Sequence, residues 1–396
     1  MKSVRRLATA SVLAVAVVAA FATPALAHTS DHPHGRDRSD RHADDHDRGR
    51  SERGANNVVF VQTDNPSGNA VVAYDRGANG TLTLAGTYPT GGNGGVLAGS
   101  AVDHLASQGS LAYDASDALL FAVNAGSNTV SVFSARGDRL TLQEIVPSFG
   151  QFPVSVAVHD GLVYVLNAEN GGSVQGYGVF FGQLFPLFGT NQALGLNPTA
   201  TPQFVNTPGQ VAFSPDGDQL IVTTKANGSD VDVFRIGFFG ALSNPTVNSE
   251  PGAVPFGVTF DRSGNLVVAE AGTNAVATFA LHHNGTITPL SSVPTNQAAT
   301  CWITGINGQF YASNAGSASL SRIQGGPGGT LAFVGNTTTD AGTVDTAATA
   351  DGQFLYAQTG GAGIVDAYRV NGDGSLSQVG SVTVANAMGG EGIVAI

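Results

Sequence analysis

The chain has 396 residues, 53 of them glycine, with only 12% charged residues and a formal net charge of −12. That much glycine among small and β-branched residues argues against a helical protein and for an all-β one of short strands and tight turns. The acidic balance argues against nucleic acid and anionic membrane surfaces as partners, and the single cysteine, Cys301, excludes an intramolecular disulfide.

Residues 1–27 carry Lys2, Arg5 and Arg6, then the apolar run "LAVAVVAAF", then "TPALA" before His28. A basic start, an apolar core shorter than a membrane span and an A-x-A site predict a signal peptide, and hence a secreted protein, extracellular or periplasmic after cleavage. Residues 28–57 hold five His, six Arg and seven acids with almost nothing apolar, so they are expected to be a disordered spacer that cannot offset its chain entropy. From residue 58 onward there are 22 acidic and 8 basic residues, a net of −14, and Lys225 is the only lysine.

The rest repeats. "FAVNAGSNTVSVF" at 121–133 returns as "LVVAEAGTNAVATF" at 266–279 and "FYASNAGSASLSRI" at 310–323. Aromatic or apolar anchors recur at Tyr74, Phe133, Tyr177, Phe234, Phe279, Ile323 and Tyr368, a unit of about 44 residues with extra residues near 91–107 and 188–206. Each unit shows four apolar runs separated by Gly, Asn and Asp turns. Turns such as "SPDGDQ" at 214–219 and "DRSGNL" at 261–266 join the first two runs as hairpins, and a weaker fourth strand is expected around "GALSNP". Seven units of four antiparallel strands predict a seven-bladed β-propeller over 58–396. The first unit begins at its second strand, "VVFVQTD", and the terminal "GGEGIVAI" supplies the missing inner strand, which closes the ring and hides two sheet edges.

The phrases "P-x-x-V-A-F-S-P-D-G" and "N-A-G-S-N-x-V-S-V-F", with "LASQGSLAYD" at 105–114, "FPVSVAVHDGLVYVLNAENG" at 152–171 and "NQAATCWIT" at 296–304, resemble the seven-bladed propeller lactonase family. That family includes bacterial 6-phosphogluconolactonase and fungal carboxymuconate lactonizing enzyme, and the narrower phrases look like a secreted bacterial branch of it. The resemblance implies the propeller and hydrolysis of a lactone or sugar-acid ester ring at the channel mouth. The alternative is a non-catalytic extracellular module that binds a ligand or a protein.

In a propeller the inner strand begins and the second strand ends on one face, so variable residues at both places ring one mouth of the channel. The second-strand ends are Asp64, Asn124, Asn167, Lys225, Glu270, Asn314 and Thr359. The inner-strand starts are Gln108, Ser110, Ser155, Gln210, Trp302, Asp345 and Glu391. Glu270, where sister repeats have Asn, is the candidate general base, with a turn cap as its structural role. Lys225 is its candidate electrostatic partner or oxyanion donor. Gln108, Asn124, Asn167, Gln210, Trp302, Asn314, Asp345 and Glu391 are candidate ligand contacts, the Asn residues competing with turn roles and Trp302 with packing. No cofactor is required by this set, although Ca²⁺ suits its mixed amide and carboxylate oxygens. Cys301, among apolar neighbours, is expected to be a small buried hydrophobe. The expected partner is a small-molecule lactone or sugar acid, with no nucleic acid or membrane, and the expected state is a monomer.

Overall fold

The computed structural model describes residues 57–396; the expected signal peptide and almost all of the expected spacer lie outside them. The chain forms seven antiparallel sheets of four main strands. Blade 1 orders Ile393–Ala395, Val58–Gln62, Ala70–Arg76 and Leu82–Pro89 from inside outward. Blade 2 begins at Leu111–Asp114, blade 3 at Pro153–His159, blade 4 at Val211–Phe213, blade 5 at Pro255–Phe260, blade 6 at Thr300–Ile306 and blade 7 at Thr343–Ala348. Blade 3 carries a fifth short strand, Gln192–Ala193, beside its third strand, Ser173–Phe180.

All seven anchors lie on third strands and are buried. They sit there because each third strand is covered on both faces by the neighbouring blades and is buried through its centre, whereas the fourth strands face solvent on one side. Closure is as the repeat requires: Val59 pairs with Ala395, Phe60 with Val394 and Val61 with Ile393. Val58 N donates to Ile396 O at 3.2 Å and Ile396 N to Val58 O at 2.9 Å, so the inner edge of the first blade is filled. The outer strand of blade 4 comes later than "GALSNP" suggests, at Thr246–Ser249. Residues 238–240 form a tight turn with Phe239 and Gly240 at positive φ, and only one bridge, Ile236 to Leu242, forms before the chain reaches Pro245, which has no N–H to give a ladder.

The repeated Asn and Gly have separate reasons. Asn124 Nδ2 donates to Thr129 Oγ1 (3.1 Å) and Ser131 Oγ (2.8 Å), and Asn314 Nδ2 to Ser319 Oγ (3.2 Å) and Ser321 Oγ (3.0 Å). The amide thus ties the end of the second strand to the start of the third. The glycine two places on lets the preceding inter-blade loop lie directly on it: a Cβ at Gly126 would stand 2.3 Å from Gly94 O.

Candidate functional site at the channel mouth

The two stretches that break the 44-residue period meet at this mouth. Residues 97–109, between blades 1 and 2, and 197–207, between blades 3 and 4, contact each other through Ala98 N, which donates to Gln203 Oε1 at 2.8 Å. Lys225, at the end of the second strand of blade 4, fastens both. Its Nζ donates to Ala106 O (2.5 Å), Phe204 O (2.7 Å) and Thr207 Oγ1 (3.0 Å), and it lies 5.1 Å above the Phe256 ring. All three ammonium protons are therefore used. Lys225 is 1% exposed. Burial pushes its pKa down from the usual lysine range, and the nearby Asp103 carboxylate opposes that shift.

Asp103 is the acid that the repeat did not reveal, because it stands in an insertion with no counterpart in sister blades. Its carboxylate accepts from Leu105 N, Ala106 N and Ser107 N, each at 2.9 Å, and so shapes the insertion into a tight turn. Burial raises its pKa, while Lys225 and the three N–H donors hold it down.

Beyond that turn, residues 107–109 cross the channel. The Ser107 carbonyl accepts from Trp302 Nε1 at 2.6 Å, and Ser107 Oγ donates to Val154 O at 2.8 Å. The Gln108 amide both donates to Ile303 O (2.9 Å) and accepts from Ile303 N (3.0 Å), while its backbone N–H reaches Gly209 O (3.0 Å). Glu391 Oε1 accepts from Gly109 N at 2.6 Å, and its own N–H donates to Asp64 Oδ2 at 2.7 Å. At this level the channel is filled by backbone and amide. Gln108 is a strut between blades 2 and 6, with one N–H and the carbonyl of its amide spent on Ile303.

Three carboxyls line this throat. Burial drives Asp64 up to about 7 against the bonds from Glu391 N and Gln62. Asp345 and Glu391 are both raised by burial; the bond from Glu391 holds Asp345 down, while the charge of Asp345 raises Glu391 further.

Beside the throat, over blades 4 to 6, lies a cavity of about 490 Å³. Phe204 and Val102 come from the two insertions, Phe256 from blade 5, and Cys301 and Trp302 from blade 6, with Lys225 and Asp103 the charged groups in its wall. Cys301 is buried as expected, and burial pushes its thiol up to about 12, out of reach of nucleophilic chemistry at neutral pH.

Of the predicted residues, Lys225 and Trp302 line this cavity. Glu270 does not: Ala271 and Gly272 form the wall there, and Glu270 Oε2 accepts from Thr273 Oγ1 at 2.9 Å, a turn-capping bond. The expected Glu270–Lys225 pair is not formed, because the lysine is drawn to the carbonyls of the two insertions. Glu270 is nonetheless distinct from the Asn of sister repeats. Its positions five and seven places on are Ala275 and Ala277, without the hydroxyls that hold Asn124 and Asn314, and burial raises its carboxyl. Asn314 bonds within its own blade, Asn124 also accepts from Asn69 Nδ2 of blade 1 at 3.1 Å, and Asn167 Nδ2 reaches Ser148 O, in the link from blade 2, and Ser173 Oγ, both at 3.3 Å. Gln210 Oε1 accepts from Val258 N at 2.6 Å. Among the described residues no group of three His, Cys, Asp or Glu side chains is placed to hold a metal ion. The loop residues Asp103, Val102 and Phe204 were not anticipated; the lengthened spacings of the repeat marked where they lie, without their roles.

No family model and no curated protein matches the chain. Solved structures do. A gluconolactonase of the periplasm of Pseudomonas aeruginosa is 19% identical, with a TM-score of 0.68 over 85% of this chain and 98% of that one. A protein of Bacteroides uniformis provisionally named 6-phosphogluconolactonase is 21% identical, with a TM-score of 0.68 over 86% and 99%. Virginiamycin B lyase of Staphylococcus aureus is 15% identical, with a TM-score of 0.51 over 73% and 89%. At such identities the likeness is one of fold, and the fold is that of lactonase-like propellers; two of these names denote ring-opening of lactones and the third a lyase.

Proposed function

We propose that the protein takes a small, predominantly apolar ring compound of the lactone class into the mouth cavity. The observation that carries this is the make-up of the wall: Val102, Phe204, Phe256 and Trp302 surround a volume within the usual range for small-molecule sites, with charge at one place only. A phosphorylated sugar acid is disfavoured by the same wall. Its phosphate calls for several Arg and Lys donors, and the one lysine present already gives all three protons to Ala106, Phe204 and Thr207.

Ring opening by water is the second reading, favoured by Glu270. Its carboxyl is raised by burial, as suits a general base, and it directly precedes the wall residues Ala271 and Gly272. Rotation of its side chain away from Thr273 would bring a base to the cavity edge.

Trp302 is the only tryptophan of the chain, so its fluorescence reports on this cavity alone. Titration with alkyl-substituted lactones is expected to give a saturable change in emission, absent in Trp302→Phe, while glucono-lactone and its 6-phosphate leave it unchanged. Saturation by the sugar lactones only would overturn the proposal. Release of acid from a bound lactone, followed at constant pH, decides between binding and hydrolysis.

A further inference from the structure

On the face opposite the mouth, two adjacent blades turn from their third strands to their fourth through the same three residues, Phe180-Phe181-Gly182 at the end of Ser173–Phe180 and Phe238-Phe239-Gly240 three residues beyond Asp230–Arg235. Phe181 is fully exposed, Phe238 and Phe239 are 91% and 89% exposed, and Phe180 and Phe185 are about half exposed. The two turns belong to one corner. Phe180 and Phe185 pack edge to face at 5.8 Å, and the Gly240 backbone lies against Leu187 and Leu162 of blade 3 and accepts from Tyr164 OH. Phe188, also fully exposed, extends the corner along the outer edge of blade 3.

Neither exposure nor backbone preference explains these residues. In both turns the second Phe sits at a left-handed φ, 53° at Phe181 and 57° at Phe239, and the following Gly at 76°. Turns of this kind favour Asn-Gly or Asp-Gly, and a bulky aromatic there is strained. In blade 6 the turn with both residues at positive φ is Gly328-Gly329, and in blades 1, 5 and 7 the residue before the glycine is polar and keeps a negative φ: Asn79, Asn284 and Asp373. Two copies of a costly choice, side by side and turned to water, mark an interaction surface.

The charge pattern indicates the partner. No Asp, Glu, Lys, Arg or His occurs from residue 170 to 215, nor from 236 to 249, in a domain whose net charge is otherwise −14. Beside the turns stand Arg235 and two acids, Asp160 and Asp218, in hairpins that bond the third-strand ends (Val179 N to Gly161 O, 2.8 Å; Ile236 N to Asp218 O, 2.9 Å), and Glu144, from blade 2, accepts from Leu184 N. The whole surface repels anionic headgroups, yet this corner approaches a neutral one without electrostatic cost. Rings on separate hairpin tips also suit a fluid apolar boundary, which needs no matching shape, better than a rigid protein face, which needs about 800 Å² of complementary area.

We propose that the Phe180–Phe188 and Phe238–Phe239 corner docks the propeller on a zwitterionic lipid surface, inserting the turn rings and leaving the mouth facing away. The probe is the full chain bearing Phe181→Trp, mixed with phosphatidylcholine vesicles; Trp302 contributes a buried and constant background. Insertion is expected to shift the new emission to the blue and to make it quenchable by brominated acyl chains. The pair Phe181→Ser and Phe239→Ser is expected to weaken vesicle binding by at least about tenfold, with the melting temperature unchanged because both rings are exposed. Added salt leaves binding intact, since no ion pair supports it. Absence of acyl-chain quenching overturns the proposal, as does concentration-dependent self-association in lipid-free solution that the same two substitutions abolish, which would assign the corner to a second copy of the chain.

Discussion

Lys225→Met tests whether the two insertions are held in place by one side chain. The substitution keeps the volume but removes three donors, leaving the Ala106 and Phe204 carbonyls without them and the buried Asp103 carboxylate without its counter-charge. Unpaired buried acceptors cost about 1–3 kcal/mol each, and Asp103, which makes no ion pair with the lysine, loses a nearby opposite charge. These terms overlap, since relaxation of the loops relieves both, so the expected loss is about 3–5 kcal/mol. With an unfolding entropy of about 2.1 cal/mol/K per residue over the 340 residues from 57 to 396, each kcal/mol moves the midpoint by roughly 1.4 °C, giving a fall of roughly 4–7 °C. Scanning calorimetry measures it, and Trp302 emission is expected to shift to the red as the roof loosens. Asp103→Asn in the same background removes the orphaned charge and is expected to recover part of the loss. A fall of less than about 1 °C for Lys225→Met would refute the assignment of this lysine as the fastening of the roof.

Glu270→Gln is expected to abolish any lactone hydrolysis while leaving the Trp302 binding signal within about twofold of wild type, because Gln can keep the bond from Thr273; unchanged turnover removes Glu270 from the chemistry. Asp64 and Asp232 are each raised by burial to about 7, above the unfolded value of about 3.9. The folded state therefore holds protons that the unfolded chain releases, and their contribution, full below about pH 4, is lost as pH rises towards 7. The melting temperature is thus expected to be higher at pH 5 than at pH 7.5, and Asp232→Asn, whose Oδ1 has no partner, to flatten the difference. Gly360→Ala would set a methyl 1.7 Å from Val102 O, so a loss of about 1–3 kcal/mol is expected, together with weakened ligand binding, since Val102 belongs to the cavity wall; an unchanged titration would show that the roof yields freely.

The propeller was legible because its physics is local and repeated: a run of alternating residues, a turn, an anchor, seven times over, with the last strand missing from the front and present at the back. The ring of mouth positions followed from strand direction alone, which is why Lys225 and Trp302 were found in advance. What could not be read was where their side chains spend their bonds. The Asn residues answer to hydroxyls five to seven places on, a relation visible in the sequence once known. By contrast, Lys225 answers to backbone carbonyls over a hundred residues away, at Ala106, and no local pattern encodes that. Asp103 and Phe204 lie in insertions, where the repeat offers no register to compare against, so their place in the wall emerged only when the two insertions met.

The strand that seals the ring also brings Glu391 to Asp64 and Gly109, so the last six residues of the chain finish both the wall and the throat. During synthesis this order has a consequence. Until those residues are made, the first blade lacks its inner strand, Val58–Gln62 keeps an unpaired edge, and the throat lacks the Glu391 carboxyl that holds Gly109. The circle and its throat are therefore completed in the same step, and a chain shortened by a few residues at its end is deprived of both.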